Sequence, residues 1–158
     1  MWRDRLRSRE ASTRILAIDV GARRIGLAIS DPSRTLARPL LTLKAASADK
    51  AVSLVADEVT RLSAEDDGLS TIVVGLPRRL DGSPSDQTAR VKAFIDALRA
   101  RTAIPIVTED ERLTSREAES RLALRERDWR RRKANLDAAA AAIILQDYLD
   151  RAADERDE

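Results

Sequence analysis

Apolar residues change their spacing along this chain, and the changes mark its elements. Ile15-Leu16-Ala17-Ile18 sits inside a short run over 14–20, and Ile25 to Ser30 follows at once. Both read as strands, joined by the hairpin-like turn Gly21-Ala22-Arg23-Arg24. A third strand is expected at Leu40–Leu43, just after Pro39. Val52, Val55, Ala56, Val59 and Leu62 fall at helical spacing and predict an amphipathic helix over 48–63, broken by Asp66-Asp67-Gly68. Thr71-Ile72-Val73-Val74 is continuously apolar, as a strand buried on both faces should be, and it ends in Gly75-Leu76-Pro77. A loop from Arg78 to Ser83 leads into a helix carrying Val91, Phe94, Ile95 and Leu98, with Ser83 as cap and Pro84 at its first position. Ile104–Val107 predicts another buried strand, after which Glu109-Asp110-Glu111-Arg112 turns outward. Thr114-Ser115-Arg116-Glu117 has the form of a capping box and starts a helix. Asn135 caps the final helix, which runs to about Arg151.

This order predicts an α/β domain. Three leading strands form an antiparallel meander, and the later βαβα units add parallel strands by crossover, so a mixed sheet is flanked by helices. One domain is expected over 14–150, with a flexible basic tail over 1–13 and an acidic tail over 151–158.

Composition narrows the chemistry. The 158 residues are 43% hydrophobic and 35% charged, as in a soluble globular chain, and aromatic residues make up only 3%, so the core is aliphatic. The chain has no cysteine and no histidine. Thiolate catalysis, disulfides, cysteine-bound zinc and the histidine-dependent hydrolase triads are excluded. Acid/base or metal work falls to carboxylates, which favour hard cations such as Mg²⁺ or Mn²⁺. No apolar stretch approaches the about 20 residues of a membrane span. A charged amino-terminal stretch has no signal-peptide core, so a cytoplasmic location is expected. The net charge of +2 is unevenly spread. Arginine clusters before Arg14 and over 121–133, and acids gather after Asp147. The basic run Arg130-Arg131-Arg132-Lys133 suits either phosphate contact or a solvated connection.

Asp19 is delivered by an apolar strand into a glycine turn. A buried ionised group there must be paired, hydrated or bound to a cation. Asp110 and Glu111 follow a later strand, and Asp137 opens the last helix. In α/β sheets, ligands gather at the carboxyl ends of strands, where Asp19, Gly75-Leu76-Pro77 and Asp110-Glu111-Arg112 all lie. Carboxylates from separate rigid elements can hold divalent ions that activate water against a phosphodiester. Arg23, Arg24, Arg78 and Arg112 lie beside these positions and could grip phosphates. Against each stands a plain reading: a turn aspartate, solvated loop charges, a carboxylate favoured in a first helical turn, or surface arginines.

Four blocks in order carry a resemblance. Ile18-Asp19-Val20-Gly21-Ala22-Arg23-Arg24-Ile25-Gly26-Leu27-Ala28-Ile29-Ser30-Asp31 resembles the opening motif of the YqgF/RuvX family of ribonuclease H-like nucleases. Val74-Gly75-Leu76-Pro77 with Asp81-Gly82 and Gln87 resembles its second motif, and Asp110-Glu111-Arg112-Leu113-Thr114 its third. Leu136-Asp137 with Ala139-Ala140, Ile143-Ile144-Leu145-Gln146 and Tyr148-Leu149 resembles its fourth. The resemblance covers about residues 14–150. It implies a ribonuclease H-like fold and a divalent-metal nuclease. It implies action either in 5′-end maturation of pre-16S rRNA or as a resolvase of branched DNA. It implies a catalytic set of Asp19, Glu111 and Asp137, with Asp110 as a further metal ligand. Arg23, Arg24, Arg78, Arg112 and Thr114 would meet nucleic acid, and Gly21, Gly75, Pro77 and Gly82 would shape the loops. The chain departs from the family in its basic leading segment, in lacking a glycine over 123–133, and in its acidic end.

Two other classes compete. An actin-like or sugar-kinase ATPase also follows its first strand with Asp and Gly, but needs two such domains. A non-catalytic RNA-binding assembly factor could keep the fold, yet would have no use for the acidic set. The expected state is a monomer or a homodimer, the latter favoured if the substrate is a two-fold junction.

Overall fold

The computed structural model describes residues 13–111 and 136–157. Its five-stranded sheet is built from β1 (Arg14–Val20), β2 (Arg24–Ser30), β3 (Ala37–Lys44), β4 (Leu69–Leu76) and β5 (Ile106–Asp110). The spatial order is β3-β2-β1-β4-β5. The β1–β2 and β2–β3 pairs are antiparallel. The β1–β4 and β4–β5 pairs are parallel. This is the expected meander followed by crossover strands.

Among the described residues, helices α1 (Ala48–Ser63), α2 (Asp86–Arg99) and α3 (Leu136–Asp157) cover the sheet. Alternation along each strand decides which face each helix covers. Leu16, Ile18, Ile25, Leu27, Ile29, Ile72 and Val74 pack with the buried faces of α1 and α2. Ile15, Ala17, Ala28 and Val73 point the other way and pack with Ala141, Ala142, Leu145 and Leu149 of α3. The α3 face of the sheet is therefore small-chained, and the helix can approach closely.

Several boundaries differ from the predicted ones. β3 is longer than Leu40–Leu43 and contains Pro39, which pairs opposite Ala28 where the register shifts. A proline is tolerated there because β3 is an edge strand and Pro39 sits at a bulge. β5 begins at Ile106 and runs through Asp110, so Glu109 lies inside the strand rather than in an outward turn. Glu109 is buried and forms an ion pair with Arg151 of α3.

The cap of α2 is Ser85, not Ser83. Ser85 Oγ accepts from the Thr88 backbone N–H, and the Ser85 backbone N–H donates to the Thr88 hydroxyl oxygen at 2.8 Å. Ser83 is already engaged by Asp81, to which its Oγ donates at 2.6 Å. α3 continues past Arg151 to Asp157. Pairs one turn apart support it up to Arg151, with Arg151 donating to Asp147 at 2.6 Å and Gln146 to Asp150 at 3.0 Å. Among the described residues, no helix is long and apolar enough to cross a membrane.

Candidate active site

The parity that sorts the core also aims the acids. Asp19 continues the Ile15–Ala17 face of β1 and so points toward α3. Its cross-strand partner is Gly26. A β-carbon on Gly26 would overlap the Asp137 carbonyl and crowd the Ala138 nitrogen. Only glycine lets the first turn of α3 rest on the strand beside Asp19, and this brings Asp137 to the site.

Gly75 plays the same part for Glu111. A β-carbon there would meet the Glu111 Oε1 at 2.9 Å and the Ile144 Cδ1 at 2.6 Å. The Glu111 side chain thus lies across Gly75 and reaches Asp19, with which it shares a hydrogen bond. Asp110, one residue earlier, has the opposite parity and pairs along β5 with Leu76. It acts on Glu111 through its charge.

Burial, then the Asp19 charge and the shared hydrogen bond, then the Asp110 charge, push Glu111 up to about 7. Burial also raises Asp19; the hydrogen bond from Glu111 pulls the other way, and the Asp137 charge adds to the rise. Below about pH 7, Glu111 holds a proton and donates it toward Asp19. This is how crowded carboxyls relieve repulsion when no cation lies between them.

These oxygen donors have the chemistry a hard divalent cation selects. Among the described residues, however, no three acidic side chains stand as a ready metal cage. Two are joined and the third acts from a distance. The donor set fits a divalent cation, with Asp19 and Glu111 as the joined donors and Asp137 as the adjacent charge.

A cavity of about 220 Å³ opens over the pair, lined by Asp19, Gly21, Pro77, Gln87, Arg90 and Glu111 among others. Gly21 closes its turn by donating to the Arg24 carbonyl at 2.9 Å. Gly82 adopts a φ of 88°, left-handed backbone that suits glycine, and closes the loop by donating to the Arg79 carbonyl at 2.8 Å. Thr88 donates to the Pro77 carbonyl and ties the first turn of α2 to the end of β4. That tie carries Gln87 and Arg90 to the cavity.

Arg23, Arg24 and Arg78 are exposed and do not line this cavity. Arg23 lies in the turn after β1, Arg24 opens β2, and Arg78 follows the end of β4. Arg112 and Thr114 lie outside the described residues, as do the predicted capping box, the basic run to Lys133 and Asn135. Arg90 was missed from sequence. Its signal is the i,i+3 spacing from Gln87, visible only once Ser85 is known as the cap and the helix phase is set.

The comparisons agree with this architecture. Residues 13–151 match the family model described as "RuvX: Holliday junction resolvase". A relative from Roseiflexus sp. is 41% identical over 87% of this chain and 94% of its own, and one from Chloroflexus aggregans is 44% identical over 86% and 92%. Both bear the provisional name pre-16S rRNA nuclease. Thermus thermophilus RuvC, solved in complex with a Holliday junction substrate, superposes with a TM-score of 0.54 at 17% identity, covering 88% of this chain and 96% of that one. That likeness is one of fold, and the fold is ribonuclease H-like. With the match spanning every strand and most of α3, the chain belongs to the RuvX Holliday junction resolvase family.

Proposed function

We propose that this protein is a divalent-metal-dependent nuclease that hydrolyses a phosphodiester bond during 5′-end maturation of pre-16S rRNA. The observation that carries the reading is the joined Asp19–Glu111 carboxyl pair at the strand ends, with the Asp137 charge acting on it. The names of the relatives support the RNA substrate.

In this reading Asp19, Glu111 and Asp137 hold Mg²⁺ or Mn²⁺, and Asp110 strengthens the local negative field. The bound cation supplies Lewis acidity at the phosphate and a water of lowered pKa. Glu111 gives up its proton as the site loads and becomes a full anion. Gly26 and Gly75 keep α3 and the Glu111 side chain seated, so the carboxylates stay on rigid elements. Arg23, Arg24 and Arg78 meet flanking phosphates from the rim, which positions the strand without reading sequence.

The test offers a pre-16S rRNA 5′ fragment and a four-way DNA junction side by side to wild type and Asp19→Asn, with Mg²⁺ or Mn²⁺. RNA cleavage by wild type alone is the expected result. Cleavage of the junction alone would make the protein a resolvase of branched DNA. Failure to cut either substrate, with equal RNA binding by both proteins, would replace the nuclease with a binding factor.

A further inference from the structure

A second, larger cavity adjoins the carboxylate site. Its volume is about 410 Å³, and it lies between α1 and α2 behind the Gly21–Ala22 turn. Such a volume is at the lower end of the roughly 300–1,000 Å³ of small-molecule sites. It admits one nucleoside-sized group and no duplex.

The walls are apolar: Ala48 and Val52 from α1, and Ala93, Phe94 and Ala97 from α2. Phe94 is the only phenylalanine in the chain. Two charged side chains complete the lining, Asp49 and Arg90. Arg90 also lines the carboxylate cavity, as do Val20, Gly21 and Ala22. The two cavities thus share one wall and one cation.

We infer that the α1–α2 cavity is a subsite for an unpaired nucleobase of the substrate strand, with Arg90 holding the phosphate that joins that nucleotide to the scissile one. The inference rests on the nuclease reading above. Three features choose this occupant. The cavity adjoins the carboxylate site, with Arg90 and the Gly21–Ala22 turn lining both, so neighbouring nucleotides of one strand can occupy the two. Its apolar walls suit the faces of a flat ring, as in sites that take a base out of its stack. Asp49 accepts hydrogen bonds only, which disfavours a phosphate there and favours a ring edge with adjacent imino and amino donors, as guanine presents. The protein would accordingly cut next to an unstacked nucleotide, with guanine preferred, rather than within a continuous helix.

The test is a methyl-detected NMR titration of the full chain without metal. The probes are the four nucleoside 5′-monophosphates and ribose 5-phosphate. Ala93 and Ala97 are exposed helical positions, so Ala97→Phe fills the cavity without entering the core. Melting temperature checks that this variant folds, and Ala93→Trp is the second filling variant. The expected result is that guanosine 5′-monophosphate shifts Val52 most strongly among the four nucleotides while ribose 5-phosphate does not. Ala97→Phe should weaken that binding at least tenfold, and Asp49→Ala should erase the preference among bases. Base-independent shifts, or unchanged binding in both filled variants, would overturn the subsite.

Cleavage separates this from the parent reading. With the subsite correct, an abasic residue at the neighbouring position lowers wild-type cleavage at least tenfold and leaves Ala97→Phe unaffected. Equal loss or equal tolerance in both proteins overturns the subsite while the nuclease stands. A wild type that cuts nothing removes the nuclease, and the monophosphate titration then decides the cavity alone.

Discussion

The Asp137 carbonyl occupies the place where a β-carbon on Gly26 would stand. Gly26→Ala must therefore push the start of α3 off β2. Overpacking costs about 1–3 kcal/mol when side chains can yield, and here the obstacle is backbone. The variant is expected to lose at least that much stability in urea denaturation. Because a displacement of about 1 Å can cost about 10²-fold in rate, cleavage should fall at least that far. Wild-type stability and rate in this variant would show that α3 does not depend on the close approach.

Glu111 binds its proton more tightly in the folded chain than in the unfolded one. Its contribution to stability is full below its ordinary value of 4.5 and is lost as pH rises through about 7. Asp19 is raised too and acts with the same sign. Metal-free protein should show a melting temperature that falls between about pH 5 and about pH 8. Glu111→Gln should flatten the fall, and Mg²⁺ or Mn²⁺ should restore wild type at the upper end. A wild-type curve parallel to that of Glu111→Gln would rule out this pair as its cause.

Gln146 is buried and fastens α3 to the sheet edge. Its Oε1 accepts from the Ala37 nitrogen at 2.9 Å, and its Nε2 donates to the Thr35 carbonyl at 2.9 Å. Gln146→Leu leaves a buried backbone donor unpaired, a loss of about 1–3 kcal/mol. Thermal denaturation should register it, with Gln146→Glu intermediate because the acceptor survives.

Arg34 has a φ of 57° in the loop between β2 and β3, and its Nε is buried without a hydrogen-bond partner. Left-handed backbone costs a side-chain-bearing residue about 1–2 kcal/mol. Arg34→Gly should accordingly raise the melting temperature, offset in part by the entropy glycine regains when unfolded. A clear drop would show that the guanidinium contributes more than the strain costs.

The sheet was legible because short apolar runs and turn residues identify strands locally. The pairing of Asp19 with Glu111 was foreseeable as a shared sheet end, but only the family resemblance favoured Glu111 over Asp110, because the apolar run Ile104–Val107 places the end of β5 too early. That error traces to Glu109. A charged residue reads as the end of a strand unless its partner, Arg151, is known, and that partner lies far along the chain. Ser83 and Ser85 flank the same proline; the choice turned on Thr88 returning the bond, a reciprocity no single residue displays. The end of α3 is hard to place from sequence because the charged residues after Asp150 lack an apolar period, although the helix continues through them to Asp157.

Because Gly26 seats the start of α3 on β2, the proposed carboxylates come from the first strand and the last helix. During synthesis the sheet emerges before α3 does. A nascent chain can then form its meander and crossover strands while lacking Asp137, and a cleavage centre built in this way switches on only after the last helix has left the ribosome. For an enzyme that would cut ribosomal RNA precursors, the order of translation is itself a safeguard for the machine that makes it.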